Sequence, residues 1–358
     1  MTANSKFLRL PAEWEDYDDV MIAWPHGQTD WASMLDEVTD CYVHLTEAIV
    51  NASGLRAVII TPEPEVVRAK TCHLPQERVL IVEMPTNDTW TRDYGPLTVR
   101  LADNAIPQGS DNDAVGVCDF KFNGWGLKFA SNLDNMVNLR MYDKGLLCRN
   151  YLPRLGFVLE GGAVETDGKG FMLTTSACQF SLNRNGFMNQ ERLERCMAEY
   201  LGMHTVKVLD HGHLEGDDTD SHIDTLARLA PDDTILYVKS YNPADPHTEE
   251  LNLMEDELRE LRTADGRPFN LIGLPLPDPI YDDEGNRMPA TYANFLITPR
   301  TVLMPTYGQP QNDMMAEQML RVTFSGREIV KVDCRALIKQ HGSLHCATMQ
   351  LPAGAITC

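Results

Sequence analysis

TVKVLDHGHLEGDDTDSHIDTLARL, residues 205–229, decides how the chain is read. An apolar β-branched run ends on an acidic residue. A polar loop follows, then a second apolar run opened by a histidine and an aspartate. Two more segments share this shape, RVLIVEMPTNDTWTRDYGPLTV (78–99) and EIVKVDCRALIKQHGSLHCATMQL (328–351). Each loop delivers reactive residues near the start of its closing strand: Trp90 and Asp93, His222 and Asp224, and Cys346. A fourth segment, RLGFVLEGGAVETDG (154–168), places Glu160 before a double glycine between two strands. Repeated strand-rich units around an axis would bring equivalent loops to one mouth. Asp93, Glu160, His222, Asp224 and Cys346 would then meet.

The remainder of the chain fits a mixed α/β fold. Strand-like runs recur at 20–24, 56–61, 171–175, 234–239, 295–298 and 301–305. Helical spacing is kept over 31–50, with Asp30 as N-cap, and over 189–202, ending on Gly202. Further helices are expected at 247–262 and 312–324, and LPLPDPIYDDEGNRMP (274–289) reads as a Pro-rich surface loop. No low-complexity linker divides the chain, so 1–358 is expected to be one domain.

The formal charge, from 31 Lys and Arg against 52 Asp and Glu, is −21. Such a field repels nucleic acid and anionic membranes and attracts cations. No run is long and apolar enough for a membrane span, and the N-terminus lacks the apolar core of a signal peptide. The nine cysteines are scattered without a CxxC pair. This speaks against a disulfide framework or a cysteine zinc site and fits a reducing cytoplasm, with most thiols acting as small core hydrophobes.

Cys346 follows a Gly-Ser loop, where a nucleophile can be presented. It needs a cationic neighbour or a cationic substrate to become a thiolate. His345 beside it would point to the opposite face if the strand has begun there. On the same alternation, His222 and Asp224 would face one side of a strand, a proton carrier beside a cation binder. Trp90 with Asp93 makes a receptor for a planar cation, by stacking and paired hydrogen bonds. Glu160 would hold His222 protonated or take a substrate N–H. A metal-dependent hydrolase using His211, His213 and His222 is a competing reading, since His-x-His is a ligand spacing. A non-catalytic guanidinium-binding module is another, although binding alone needs no nucleophile.

Together WTRDYGP (90–96), FNGWGLKF (122–129), LEGGA (159–163), TDSHIDTLARL (219–229), YANFLIT (292–298), MPTYG (304–308) and GSLHCATMQ (342–350) resemble the agmatine deiminase and bacterial-type peptidylarginine deiminase family. The resemblance runs from LPAEWE (10–15) to the last strand. It implies the pentein fold, an α/β propeller of five pseudo-symmetric ββαβ-like units around a central site. It also implies Cys346 as nucleophile, His222 as acid and base, Asp93 and Asp224 as guanidinium-binding carboxylates, Glu160 as the glutamate of the site, and Trp90 beside the first aspartate. The activity implied is deimination of agmatine to N-carbamoylputrescine and ammonia through a covalent thiouronium, within putrescine and polyamine synthesis. The same chemistry on peptidyl-arginine is the alternative. No metal or organic cofactor is expected; the partner is a small guanidine, and assembly into homo-oligomers is compatible with it. Agmatine-acting members usually read GHVDN and GGGNIHC where this chain has Ser221–Thr225 as SHIDT and His341–Cys346 as HGSLHC. These differences flank the site and bear on the substrate tail.

Overall fold

A computed structural model describes residues 8–101 and 115–357. The expectations for residues 1–7 and for Cys358 lie outside the described residues.

Among the described residues there are five separate sheets, and each contains the same three-strand pattern. The first strand of the pattern runs antiparallel to the second, and the second runs parallel to the third. The sets are β5 (Leu97–Leu101), β6 (Val115–Lys121) and β7 (Tyr151–Val158); β8 (Glu165–Thr166), β9 (Phe171–Thr175) and β10 (Thr205–Leu209); β11 (Ala227–Ala230), β12 (Thr234–Lys239) and β13 (Asn270–Pro275); and β14 (Leu296–Ile297), β15 (Thr301–Thr306) and β16 (Glu328–Asp333). The fifth joins the two ends of the described chain. β17 (Met349–Leu351) pairs antiparallel with β2 (Asp19–Ala23), which pairs parallel with β3 (Arg56–Thr61). β4 (Val79–Glu83) extends that sheet, and β1 (Leu8–Arg9) extends the one containing β5.

Parallel neighbours require a crossover. Each second and third strand is therefore joined through a helix: Leu35–Glu47, Val137–Asp143, Gln190–Leu201, Thr248–Glu260 and Pro310–Thr323. The strands beneath are nearly continuous apolar runs because both faces are covered. Val20, Met21, Ile22 and Ala23 are all buried, as are Val58, Ile59 and Ile60.

The predicted strands are all present. The helix over 190–201 has Asn189 accepting from the Arg192 amide and ends on Gly202 in the left-handed region (φ 72°). Asp30 is not an N-cap. It opens a 3-10 turn, Asp30–Met34, that precedes the α-helix. The helical period extends through this turn, so sequence spacing alone merges the two. The loop expected at 274–289 begins as the end of β13, and its last residues, Arg287 to Pro289, are buried.

The repeat seen in the sequence straddles the sheets. β4, β10 and β16 are parallel edge strands of one sheet, and β5, β11 and β17 open the next. The loop between them crosses from sheet to sheet, which is where reactive side chains gather. Six of the eight described cysteines are buried and none of the eight forms a disulfide, Cys72 being exposed and Cys196 half-buried. Among the described residues no helix is long and apolar enough to cross a membrane.

Candidate active site

A short turn precedes the opening strand of every sheet. Thr91–Tyr94 precedes β5, Gly161–Ala163 precedes β8, and Ile223–Thr225 precedes β11. The segment 291–294 precedes β14, and 343–347 precedes β17. These five turns, with the residue that enters each, hold Asp93, Glu160, His222 with Asp224, Asn294, and Cys346.

Turns replace the expected strand geometry. His222 and Asp224 lie on either side of Ile223 at a 3-10 turn, not on alternate positions of a strand, which starts only at Ala227. The polar side chains before it bond locally and favour a turn. The His222 amide donates to Thr219 Oγ1 (3.0 Å), and Ser221 N donates to Asp217 Oδ2 (2.6 Å). Likewise β17 begins at Met349, so strand alternation does not govern His345. Its ring turns to Asp224 instead, with Nδ1 2.7 Å from Oδ2, and its Nε2 lies 2.7 Å from Glu13 Oε2.

Three polar atoms converge in front of Gly162. A Cβ there would meet His222 Nδ1 at 2.6 Å, Asp93 Oδ1 at 2.8 Å and Asp224 Oδ1 at 3.2 Å. Only glycine leaves this approach open. Its amide donates to Asp93 Oδ1 (3.1 Å). His222 Nδ1 is 3.4 Å from Asp93 Oδ1, and its Nε2 faces Glu160 Oε2 at 3.1 Å. Cys346 Sγ lies 3.8 Å from Asp224 Oδ2. Asp93, Glu160, His222, Asp224 and Cys346 are all buried. His222 Nδ1 and Asp224 Oδ1 are nevertheless buried with no hydrogen-bond partner. Orphaned buried polar atoms are costly, and here they face one point.

Their charges follow from this crowding. Burial pushes Asp93 up to about 6; His222 opposes the rise, and Asp224 and Glu160 add to it. Burial alone would lower His222, but Asp93, Cys178 and Glu160 outweigh it and hold the imidazole well above its ordinary value. Burial works to raise Glu160 and Asp224 as well. His222 and Arg184 keep Glu160 below the usual range, and His345 does so for Asp224. Burial, then the charges of Asp224 and Asp93, drive the Cys346 thiol well above its usual value. The site holds a surplus of negative charge around a thiol that burial and those charges keep protonated. A bound cation would relieve both.

A cavity of about 130 Å³ leads to Cys346. Its lining includes Trp90, Asp93, Trp125 and Phe129, together with Asp30, Asp88 and Asp218. Burial pushes Asp88 up to about 7; the Thr89 amide opposes the rise, and the charge of Asp30 adds to it.

Two contributors were not singled out from sequence. Asn294, inside the apolar YANFLIT, accepts from the amides of His345 (2.8 Å) and Cys346 (3.2 Å) and donates from Nδ2 to Cys346 Sγ (3.2 Å). Trp125 donates its indole N–H to Asp93 Oδ2 (2.9 Å) from a left-handed turn. Gly124, Trp125, Gly126 and Leu127 have φ of 67°, 54°, 82° and 71°, with Leu127 N bonded to Asn123 O (3.0 Å). Consecutive left-handed residues are unfavourable for side chains other than glycine and cluster at functional sites. The paired glycines of FNGWGLKF are the signal that could have shown this turn.

The His211, His213 and His222 metal reading is overturned. His211 Nδ1 pairs with Glu257 (2.8 Å) and His213 is exposed, whereas His222 is fully buried. Among the described residues, the groups close enough to share an ion are Glu160–Cys178–His222 and Glu13–Glu165–His345. In the first Arg184 Nε already occupies Glu160, and in the second Arg228 lies on Glu13 and Glu165. A guanidinium stands where a cation would.

A thiol, an imidazole and cation-binding carboxylates around one point are the parts of a hydrolase acting on the C–N bonds of amidines. The profile described as Porphyromonas-type peptidyl-arginine deiminase matches residues 9–352, and the chain belongs to that family. The crystal structure of a Porphyromonas gingivalis protein, provisionally named an arginine deiminase, is 43% identical with a TM-score of 0.88, covering 98% of this chain and 100% of the other. A C. jejuni agmatine deiminase with substrate bound is 31% identical with a TM-score of 0.84, covering 96% of each chain. An agmatine deiminase of Pseudomonas syringae is 28% identical over 98% of this chain and 97% of its own.

Proposed function

We propose that the protein hydrolyses agmatine to N-carbamoylputrescine and ammonia through a covalent intermediate on Cys346. One observation carries the choice of substrate. The cavity before Cys346 is lined by Asp30, Asp88, Asp93 and Asp218 and, among the described residues, by no lysine or arginine. Agmatine is cationic at both ends. Its guanidinium suits Asp93 and Asp224, and its distal ammonium suits the aspartates further out. Free arginine would bring a carboxylate into this acidic strip with no cation to receive it.

The geometry supports the following chemistry. The guanidinium stacks on Trp90 and donates to Asp93 and Asp224, whose Oδ1 atom is free to accept. It offsets the two charges that raise the thiol, so Cys346 ionises with substrate in place. The thiolate attacks the guanidinium carbon. His222, protonated and held by Glu160, gives its proton to the departing nitrogen, and ammonia leaves. A thiouronium on Cys346 remains. His222, now neutral, takes a proton from water, which adds to the carbon. The hydroxyl of this adduct passes its proton to the departing sulfur as the C–S bond breaks, which restores the Cys346 thiol and releases the neutral ureido product. In this reading the five sheets ring the cavity as the units of a propeller, and the protein works in the cytoplasm, where its thiols stay reduced.

The test is colorimetric detection of ureido product from agmatine, free arginine and a blocked arginine peptide, with Cys346→Ala alongside. Product from agmatine that is absent in the variant supports the reading. Product from the peptide alone keeps the mechanism and replaces the substrate. No product from any of the three rejects it.

A further inference from the structure

Arg184 is chemically prominent and takes no part in the reaction drawn above. It sits on the short helix Leu182–Asn185, and its side chain is 2% exposed. All three guanidinium nitrogens are engaged. Nε donates to both oxygens of Glu160 (3.0 and 2.8 Å), the carboxylate that holds His222. Nη1 donates to Asp220 Oδ2 (2.5 Å), and Nη2 donates to the Thr219 carbonyl (2.8 Å).

Those last two contacts fall on the segment that enters His222. Asp220 and Ser221 are both left-handed, with φ of 64° and 61°. Neither is a glycine, so the surroundings must hold them there. Asp220 receives a second cation on its other oxygen: Lys128 Nζ donates to Oδ1 (2.6 Å) and to the Asp218 carbonyl (2.7 Å). Lys128 directly follows the left-handed turn that carries Trp125. A chain of alternating charge, Glu160–Arg184–Asp220–Lys128, thus joins the acid–base pair to the arm that orients Asp93.

We propose that Arg184 is a positioning residue: its fork fixes the Glu160 carboxylate against His222 and clamps Thr219–Ser221 so that the imidazole is delivered in its working orientation. It acts through Glu160 and the backbone and touches no substrate. A lysine at 184 would keep the charge but has one nitrogen for three partners, so the fork and not the charge is what the position requires. The groups facing His222 are Asp93, Glu160, Cys178 and Asp224, and of these only Glu160 is bonded to Arg184. The inference rests on His222 being the acid and base of the proposed reaction, but the placement of the ring can be read without turnover.

Two variants and two readouts test it. Arg184→Lys is expected to lower kcat on whichever guanidine is turned over by roughly 10- to 100-fold, the size of effect of a small misplacement of a reacting group. KM should change less than about threefold, because the cavity lining is intact. Asp220→Asn, which removes the charge shared by Arg184 and Lys128 and leaves the Arg184–Glu160 contact in place, should give a smaller loss of the same kind and covers the case in which Arg184→Lys does not fold. In parallel, histidine-labelled full-length protein carrying Cys346→Ala is titrated by NMR, with His222→Gln assigning the signal. The His222 ring resonances and their pH midpoint are expected to move in both variants. Unchanged His222 signals with unchanged kcat, accompanied only by a lower melting temperature, would overturn the proposal. Wild type without turnover would reject the functional reading alone, and the NMR comparison would still decide the role of Arg184.

Discussion

His345 Nδ1 and Asp224 Oδ2 lie 2.7 Å apart, so the histidine beside Cys346 in the chain serves a carboxylate and not the thiol. Its other nitrogen meets Glu13, which Arg228 holds at 2.9 Å. Asp224 is anchored from behind, and its Oδ1 is left for a ligand. His345→Gln retains one donor and loses the bridge. KM for the guanidine should rise by about 10-fold, the equivalent of 1.4 kcal/mol, with a smaller fall in kcat. Steady-state kinetics would show this, and an unchanged KM would remove His345 from substrate binding.

Asp93 should set a pH-dependent cost on the fold. Its folded value, about 6, lies above its ordinary 3.8. The stability it contributes is full below about pH 4 and is lost as pH rises through about 6. Asp93→Asn cannot ionise. It should match wild type in stability at pH 4 and exceed it at pH 8, by an amount near 2–3 kcal/mol at about 1.4 kcal/mol per unit. It should also abolish turnover. Thermal melts at the two pH values check the sign, and equal shifts at both would contradict it.

Gly162→Ala places a methyl where His222, Asp93 and Asp224 converge. The expected result is a folded protein with turnover reduced by two orders of magnitude or so, since a displacement of about 1 Å costs roughly 100-fold. Circular dichroism with a ureido assay separates this from unfolding. Near-normal turnover would mean that the three atoms do not enclose the reacting carbon.

Asn294→Ala removes the acceptor that shapes the Cys346 turn and the donor that faces its sulfur. Losing a donor to a thiolate raises the thiol further, so alkylation of Cys346 should need higher pH and kcat should fall by about 10-fold or more. The rate of iodoacetamide labelling against pH, followed by mass spectrometry at Cys346, measures it directly.

Much of this was legible from residues because the repeat places chemistry beside strand starts. Asp93, Glu160, His222, Asp224 and Cys346 all announce themselves as polar groups between apolar runs. Asn294 does not, because its turn carries an ordinary amide inside a buried stretch with no polar loop around it. Strand alternation gave the right neighbours for His222 and Asp224 for the wrong reason. Three-residue turns built by local side-chain bonds have the same polar-apolar texture as a strand edge. Asp30 shows the converse: a residue of good capping type sits one step inside a 3-10 turn and lines the cavity. The buried Arg228 cluster was invisible, because charged residues carry no signal of burial until their partners, Glu13 and Glu165, are placed.

The pairing of β17 with β2 has a consequence for how the molecule comes into being. Met349 must find Met21 before the turn bearing Cys346 has a fixed place. This is a contact of extreme sequence separation, and such contacts form late and slowly. Until β17 pairs with β2, the other four turns stand without the one that bears Cys346. Of the five turns, the one bearing Cys346 is thus the one whose place depends on strands from opposite ends of the described residues, while the other four precede strands that pair within their own stretch of chain.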